Sequence, residues 1–132
     1  MSWWVSLKKL NQNVEVVDFR QDPYDFNPNK RTKADLDLHF NFDPILREYL
    51  DKKQGLSWFK GKKGKDVIKH LEEVVKKLSV QHDPILQKEG IPVKREDDRD
   101  KWDNATNGNV KYYLDILLEW AREYPEAVFN VF

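Results

Sequence analysis

Two segments of this chain place apolar residues along a single helical stripe, and they constrain the fold more than any other feature. Over Lys65–Leu78, Val67, Ile68, Leu71, Val74, Val75 and Leu78 recur at i, i+1, i+4, i+7, i+8 and i+11. Over Gly108–Tyr124, Val110, Tyr113, Leu114, Leu117, Leu118 and Ala121 recur at i, i+3, i+4, i+7, i+8 and i+11. Each set falls on one face of an α-helix. Two amphipathic helices of this length need an apolar surface to cover, so the first half of the chain is expected to supply it.

That half alternates. Trp3, Val5 and Leu7 oppose Trp4 and Ser6, which predicts a short strand. Val14, Val16 and Val17 within Asn13–Phe19 predict a second, because branched side chains favour extended backbone. Asn11-Gln12-Asn13 is the expected turn between them, so the two are expected to pair as a hairpin. Residues 21–33, with two prolines and no sustained period, read as a flexible loop. Asp35–Phe42 is the cleanest strand pattern. Leu36, Leu38, Phe40 and Phe42 alternate with Asp35, Asp37, His39 and Asn41.

Asp43-Pro44 then starts a helix, with Asp43 expected to accept hydrogen bonds from the free amides of its first turn. Gly61 and Gly64 bracket the entry to the first long helix, and Asp83-Pro84-Ile85-Leu86 repeats Asp43-Pro44-Ile45-Leu46 as a second capping turn. Residues 91–103 read as a second, charged flexible loop. Thr106 or Asn107 caps the last helix, Pro125 ends it, and Val128–Phe132 has the composition of a strand. The order predicts one α+β domain over residues 1–132, with an antiparallel sheet of three to four strands. Two long helices and one or two short ones pack on one face, and the C-terminal strand is expected to pair with the N-terminal one.

Composition excludes several function classes. The chain has 132 residues, 23 basic and 23 acidic, so no global field draws it to nucleic acid or an anionic membrane. It has no cysteine, which removes disulfides, thiolate nucleophiles and cysteine-ligated zinc. No stretch approaches the ~20 apolar residues of a membrane span, and the start lacks a signal peptide's apolar core. A soluble cytoplasmic protein is expected. Asn104-Ala105-Thr106 matches a glycosylation acceptor that has meaning only in a secreted chain.

Several segments resemble a group of small uncharacterised proteins from phage and bacterial genomes. They are Phe40-Asn41-Phe42-Asp43-Pro44, Gly55 through Gly64, Leu71-Glu72, Trp102 through Asn109, Leu117 through Ala121, and Pro125 through Phe129. The resemblance spans residues 36–132, weakens over Met1–Phe19 and is absent over Gln21–Lys33. It implies a small soluble domain and transfers no catalytic residues, because the group has no established activity.

Three constellations carry chemical possibilities. Asp35, Asp37 and His39 share one face of a strand, and two carboxylates with an imidazole suit a divalent metal. Steps of about 7 Å along a strand oppose tight coordination, and an ordinary solvent face gives the same pattern. Lys60, Lys62, Lys63 and Lys65 surround two glycines at a helix start, where free amides attract anions, with Trp58 and Phe59 adjacent for base stacking. The spacing is not that of a phosphate loop, and an exposed turn with inward-packed aromatics gives the same pattern. Trp3 and Trp4 cannot both face inward, so one marks a potential interface, with Tyr24 and Phe26 as further candidate contact residues. Glu96, Asp97, Asp98, Asp100 and Asp103 lack the offsets of a calcium loop, and neither His70 nor His82 has a partner at metal spacing.

The expected function is a non-catalytic protein-interaction domain of phage or bacterial origin, its partner a second protein or a copy of itself. The alternative is a nucleic-acid-binding accessory protein that uses the lysine turn. A metal-dependent hydrolase built on Asp35, Asp37 and His39 is the weaker alternative. No motif calls for a cofactor.

Overall fold

The computed structural model describes residues 2–17, 31–78 and 107–132. In chain order these form β1 (Ser2–Lys9), β2 (Gln12–Asn13), β3 (Glu15–Val17), β4 (Arg31–Lys33) and β5 (Asp35–His39). A 3₁₀ turn at Phe40–Phe42 leads into α1 (Asp43–Tyr49), and another at Gly55–Phe59 leads toward α2 (Gly64–Leu78). Then follow α3 (Asn107–Glu123) and β6 (Val128–Val131). The fold is α+β, with antiparallel sheets of four and two strands.

β1 is the centre of the larger sheet. Val5 lies opposite both Leu36 of β5 and Val131 of β6, so these strands flank β1 on its two edges. Lys8 lies opposite both Asn13 of β2 and Val128 of β6, which puts β2 on the β5 side. The C-terminal strand therefore returns to the N-terminal one, as its composition predicts.

Residues paired across an antiparallel sheet share a face. The inner face holds Trp3, Val5, Leu7, Leu36, Leu38, Phe129 and Val131, and all but half-buried Trp3 are buried. These join Val67, Leu71, Val74 and Leu78 of α2 and Val110, Leu114, Leu117 and Ala121 of α3 in one hydrophobic core. The two helical stripes cover the inner face. α3 is buried more widely than its stripe predicts, because Asn109, Ile116, Leu118 and Trp120 are enclosed as well. It packs on several sides, whereas α2 packs on one.

Four local differences from the sequence reading have physical causes. The β1–β2 turn is at Leu10-Asn11, both at positive φ, rather than Asn11-Gln12-Asn13. Two positive-φ central residues match the twist of a tight hairpin, and they leave Leu10 90% exposed. The second strand breaks at Val14. Val14 N–H donates to Leu7 O (3.0 Å), Ala34 N–H to Val14 O (2.8 Å) and Leu7 N–H to Ala34 O (3.4 Å). This buried three-way junction lets β3 and β4 leave β1 and pair with each other. Arg31–Lys33 is thus strand, although it lies in the stretch read as loop; the rest of that loop, with Tyr24 and Phe26, lies outside the described residues, as does 91–103.

The third difference is the end of β5. Alternation runs to Phe42, but extended backbone stops at His39, whose Nδ1 accepts the Asn41 N–H at 3.1 Å and caps the 3₁₀ turn. Phe40 then packs on Trp3, with ring centroids 4.4 Å apart, and Phe42 on Tyr113 at 5.5 Å. The fourth is Asp43. It is the first residue of α1, the N-cap is Phe42, and no side chain caps that end. Asp43 instead accepts from Arg47 Nε at 2.8 Å, one turn along the helix.

Candidate functional site

The outer face of the sheet is built by the residues that alternate with the core. It carries Ser2, Trp4, Ser6 and Lys8 of β1, with His39 opposite Ser2, Asp37 opposite Trp4, and Asp35 opposite Ser6. Across the other edge of β1, Asn130 lies opposite Ser6 and Val128 opposite Lys8. Trp4 also exchanges backbone hydrogen bonds with Phe132, donating at 2.7 Å and accepting at 2.9 Å. The two side chains are therefore directly opposed across neighbouring strands.

The alternation of β1 decides which tryptophan is free. Trp3 turns inward and is half-buried against Phe40 and the core. Trp4 turns outward and is 40% exposed, beside Phe132 at 61% and with Val128 at 38% along the same face. Asp37 flanks Trp4 on the opposite side and is exposed. Ser6, at the centre, is fully buried and its Oγ has no hydrogen-bond partner among the described residues.

Asp35, Asp37 and His39 do share this face, as their spacing predicts, but they do not converge. Among the described residues no three His, Asp or Glu side chains come together to hold a metal ion. His39 spends its Nδ1 on the Asn41 amide.

The lysine turn is committed elsewhere. Residues 61–63 run along the outer edge of β6. Gly61 N–H donates to Phe129 O at 2.9 Å, Phe129 N–H donates to Lys62 O at 2.8 Å, and Lys63 bridges Val128. Gly61, at φ +81°, makes that turn possible. The free amides of α2 are not open to an anion: Gly64 N–H donates to Ala127 O at 2.8 Å and Lys65 N–H to Pro125 O at 2.9 Å. Lys63 and Lys65 both pair with Glu126, at 3.6 and 3.3 Å. Lys65 first, and then Lys63, holds the Glu126 carboxyl below the usual carboxylate range. Lys62 lies over the Trp58 ring, 4.6 Å from its centroid, and donates to the Trp58 carbonyl. Lys60 is exposed.

Trp58 is half-buried rather than poised for stacking. Its ring lies against His70 (4.7 Å between centroids) and Phe59 (5.2 Å), and Phe59 meets Phe129 at 5.1 Å. His70 Nε2 donates to the Leu50 carbonyl at 2.6 Å. Metal spacing does not single out His70; its signal in the sequence is a polar residue at the edge of a helical stripe, where a neighbouring helix end needs a donor.

A groove of about 450 Å³ lies between Val17 and the end of α3, lined by Glu119, Trp120, Arg122 and Glu123. Its charges answer one another. Arg122 pairs with Glu119 at 2.9 Å and reaches Glu72 at 3.5 Å, while Arg31 of β4 pairs with Glu123. Arg31 also donates to the Glu15 carbonyl and to Tyr124 Oη, and the Tyr124 hydroxyl donates to that same carbonyl at 2.6 Å. This network ties the β3–β4 ribbon to α3. The Glu123 hydrogen bond raises the Arg31 pKa further above its ordinary value.

No helix among the described residues is long and apolar enough to cross a membrane. The chain matches no protein-family model, no curated protein and no solved structure.

Proposed function

We propose that this chain is a non-catalytic protein-interaction domain that presents the outer face of its sheet to a protein partner. One observation carries the reading. Of the four exposed large hydrophobic residues among those described, Trp4, Val128 and Phe132 share this one face, and only Leu10 lies elsewhere. Isolated exposed apolar side chains are ordinary, but three on one sheet face, with Trp4 and Phe132 side by side, have the composition of a contact surface. Tryptophan is also among the residues that dominate binding energy.

The same geometry disfavours the nucleic-acid reading. Three of the four candidate lysines are engaged by Glu126 or Trp58, and the stacking ring is occupied. The metal-dependent reading lacks a converging ligand set among the described residues. The likeness of residues 36–132 to small phage and bacterial proteins suggests a phage or bacterial setting, with the cytoplasm as compartment.

The test is site-specific photo-crosslinking in the cells of origin. A photoreactive residue replacing Trp4 is expected to give discrete protein adducts, and one replacing exposed Lys52 is not. Adducts at both positions alike, or at neither, would overturn the proposal.

A further inference from the structure

We infer that the outer face takes an arginine side chain of its protein partner, stacked on Trp4 and paired with Asp37. This rests on the protein-interaction reading above and adds the chemistry that the partner must carry. Phe132, just past the end of β6, stands beside Trp4 of β1, and Asp37 of β5 stands on the other side of Trp4. The backbone of Trp4 exchanges its hydrogen bonds with Phe132. Its pairing with Asp37 is therefore the closer, non-hydrogen-bonded kind, with Cα atoms about 4.5 Å apart. At that separation an indole face and a carboxylate can meet the same ligand group.

Both groups are open. Trp4 and Asp37 are exposed, and neither side chain makes a hydrogen bond, ion pair or ring contact among the described residues. Their neighbours along the strands set the size of the opening. On one side Ser6 is fully buried and the Oδ1 of Asp35 opposite it is covered. On the other side Ser2 and His39 are half-buried. The opening is thus about one residue pair long, which admits a side chain and excludes a second sheet. The lysine of this face does not answer Asp37. Lys8 lies four residues along β1 from Trp4, about 13 Å away and beyond Ser6. That exceeds the screening length of about 8 Å at physiological salt.

An unpaired carboxylate beside an exposed indole suits a cation with a flat face. A guanidinium meets both demands, because it lies on the ring and keeps in-plane N–H donors for the carboxylate. An ammonium carries the charge but offers no plane. Phe132 extends the apolar surface on the far side of Trp4, where the partner residue next to the arginine rests.

Nitrogen-15 NMR titration of the full chain tests this, with acetyl-arginine amide as the probe. The citrulline counterpart keeps the planar shape without the charge, and the lysine counterpart keeps the charge without the plane. Arginine is expected to shift the amides of Trp4 and Asp37 and the Trp4 indole N–H, with a midpoint of about 10 mM. Lysine is expected to bind about threefold more weakly and citrulline about tenfold. Asp37→Asn and Trp4→Leu are each expected to weaken the arginine response by about threefold or more. Glu73→Gln, at an exposed carboxylate of α2, is expected to leave it unchanged. Circular dichroism of every variant separates lost contact from lost fold. Citrulline or lysine binding as tightly as arginine, shifts spread over other exposed carboxylates, or an Asp37→Asn chain that responds like the wild type would overturn the inference. Position-specific protein adducts without an arginine response would sink the arginine and leave the binding reading standing. An arginine response without adducts would remove the protein partner and leave a guanidinium site.

Discussion

Gly64 lies so close to the Tyr124 carbonyl that a Cβ on it would stand 2.6 Å from that oxygen and 2.9 Å from the Ala121 oxygen. Both atoms are backbone, so neither can swing aside. The start of α2 and the end of α3 meet here. Helix propensity alone favours Ala over Gly by about 1 kcal/mol. Close approach decides the sign the other way. Gly64→Ala is expected to destabilise by about 1–3 kcal/mol in denaturant unfolding. A variant as stable as the wild type would mean the two ends do not touch.

His70 supplies a donor that α1 lacks. The last carbonyls of a helix have no intrahelical partner, and Leu50 lies at that end of α1, itself buried. Its carbonyl is satisfied from α2, 20 residues further along the chain. His70→Ala is expected to cost about 1–3 kcal/mol, the penalty of leaving a sheltered acceptor unmet. Nitrogen-15 spectra of neutral His70 should show the proton on Nε2; a proton on Nδ1 would exclude the hydrogen bond.

The helical stripes carry the core. Leu71 and Leu117 are fully buried. Leu71→Ala and Leu117→Ala are each expected to lower stability by about 2–5 kcal/mol. Leu10→Ala, at an exposed turn, is the control and should change little. An unaltered melting temperature in both core variants would mean that the stripes do not face the sheet.

Glu126 gives the turn before β6 a pH dependence. Its carboxyl ionises at lower pH in the folded chain than in the unfolded one, because Lys65 and then Lys63 stabilise the anion. Its contribution is complete above the ordinary carboxylate range and is lost as pH falls through the folded value. Carboxyl-carbon titration by NMR should place Glu126 below an unperturbed glutamate. Lys65→Ala should raise that midpoint more than Lys63→Ala. The reverse order would contradict the observed pairing.

The periodic parts of this chain were legible in its sequence because burial on one face writes a period. The stripes of α2 and α3, the alternation of β1 and β5, and the composition of β6 each report a face turned toward apolar surroundings. That alternation also establishes that Trp3 and Trp4 face opposite ways. Which of them is exposed was settled by tertiary structure, through the packing of Trp3 on Phe40 and the pairing of Trp4 with Phe132. The three-way junction of Leu7, Val14 and Ala34, the end of β5 at His39, and the commitment of Lys63 and Lys65 to Glu126 depend on contacts between distant segments. Such contacts leave no period behind. A local pattern records only whether a side chain meets water or the interior; which partner it meets there depends on how the whole chain closes upon itself.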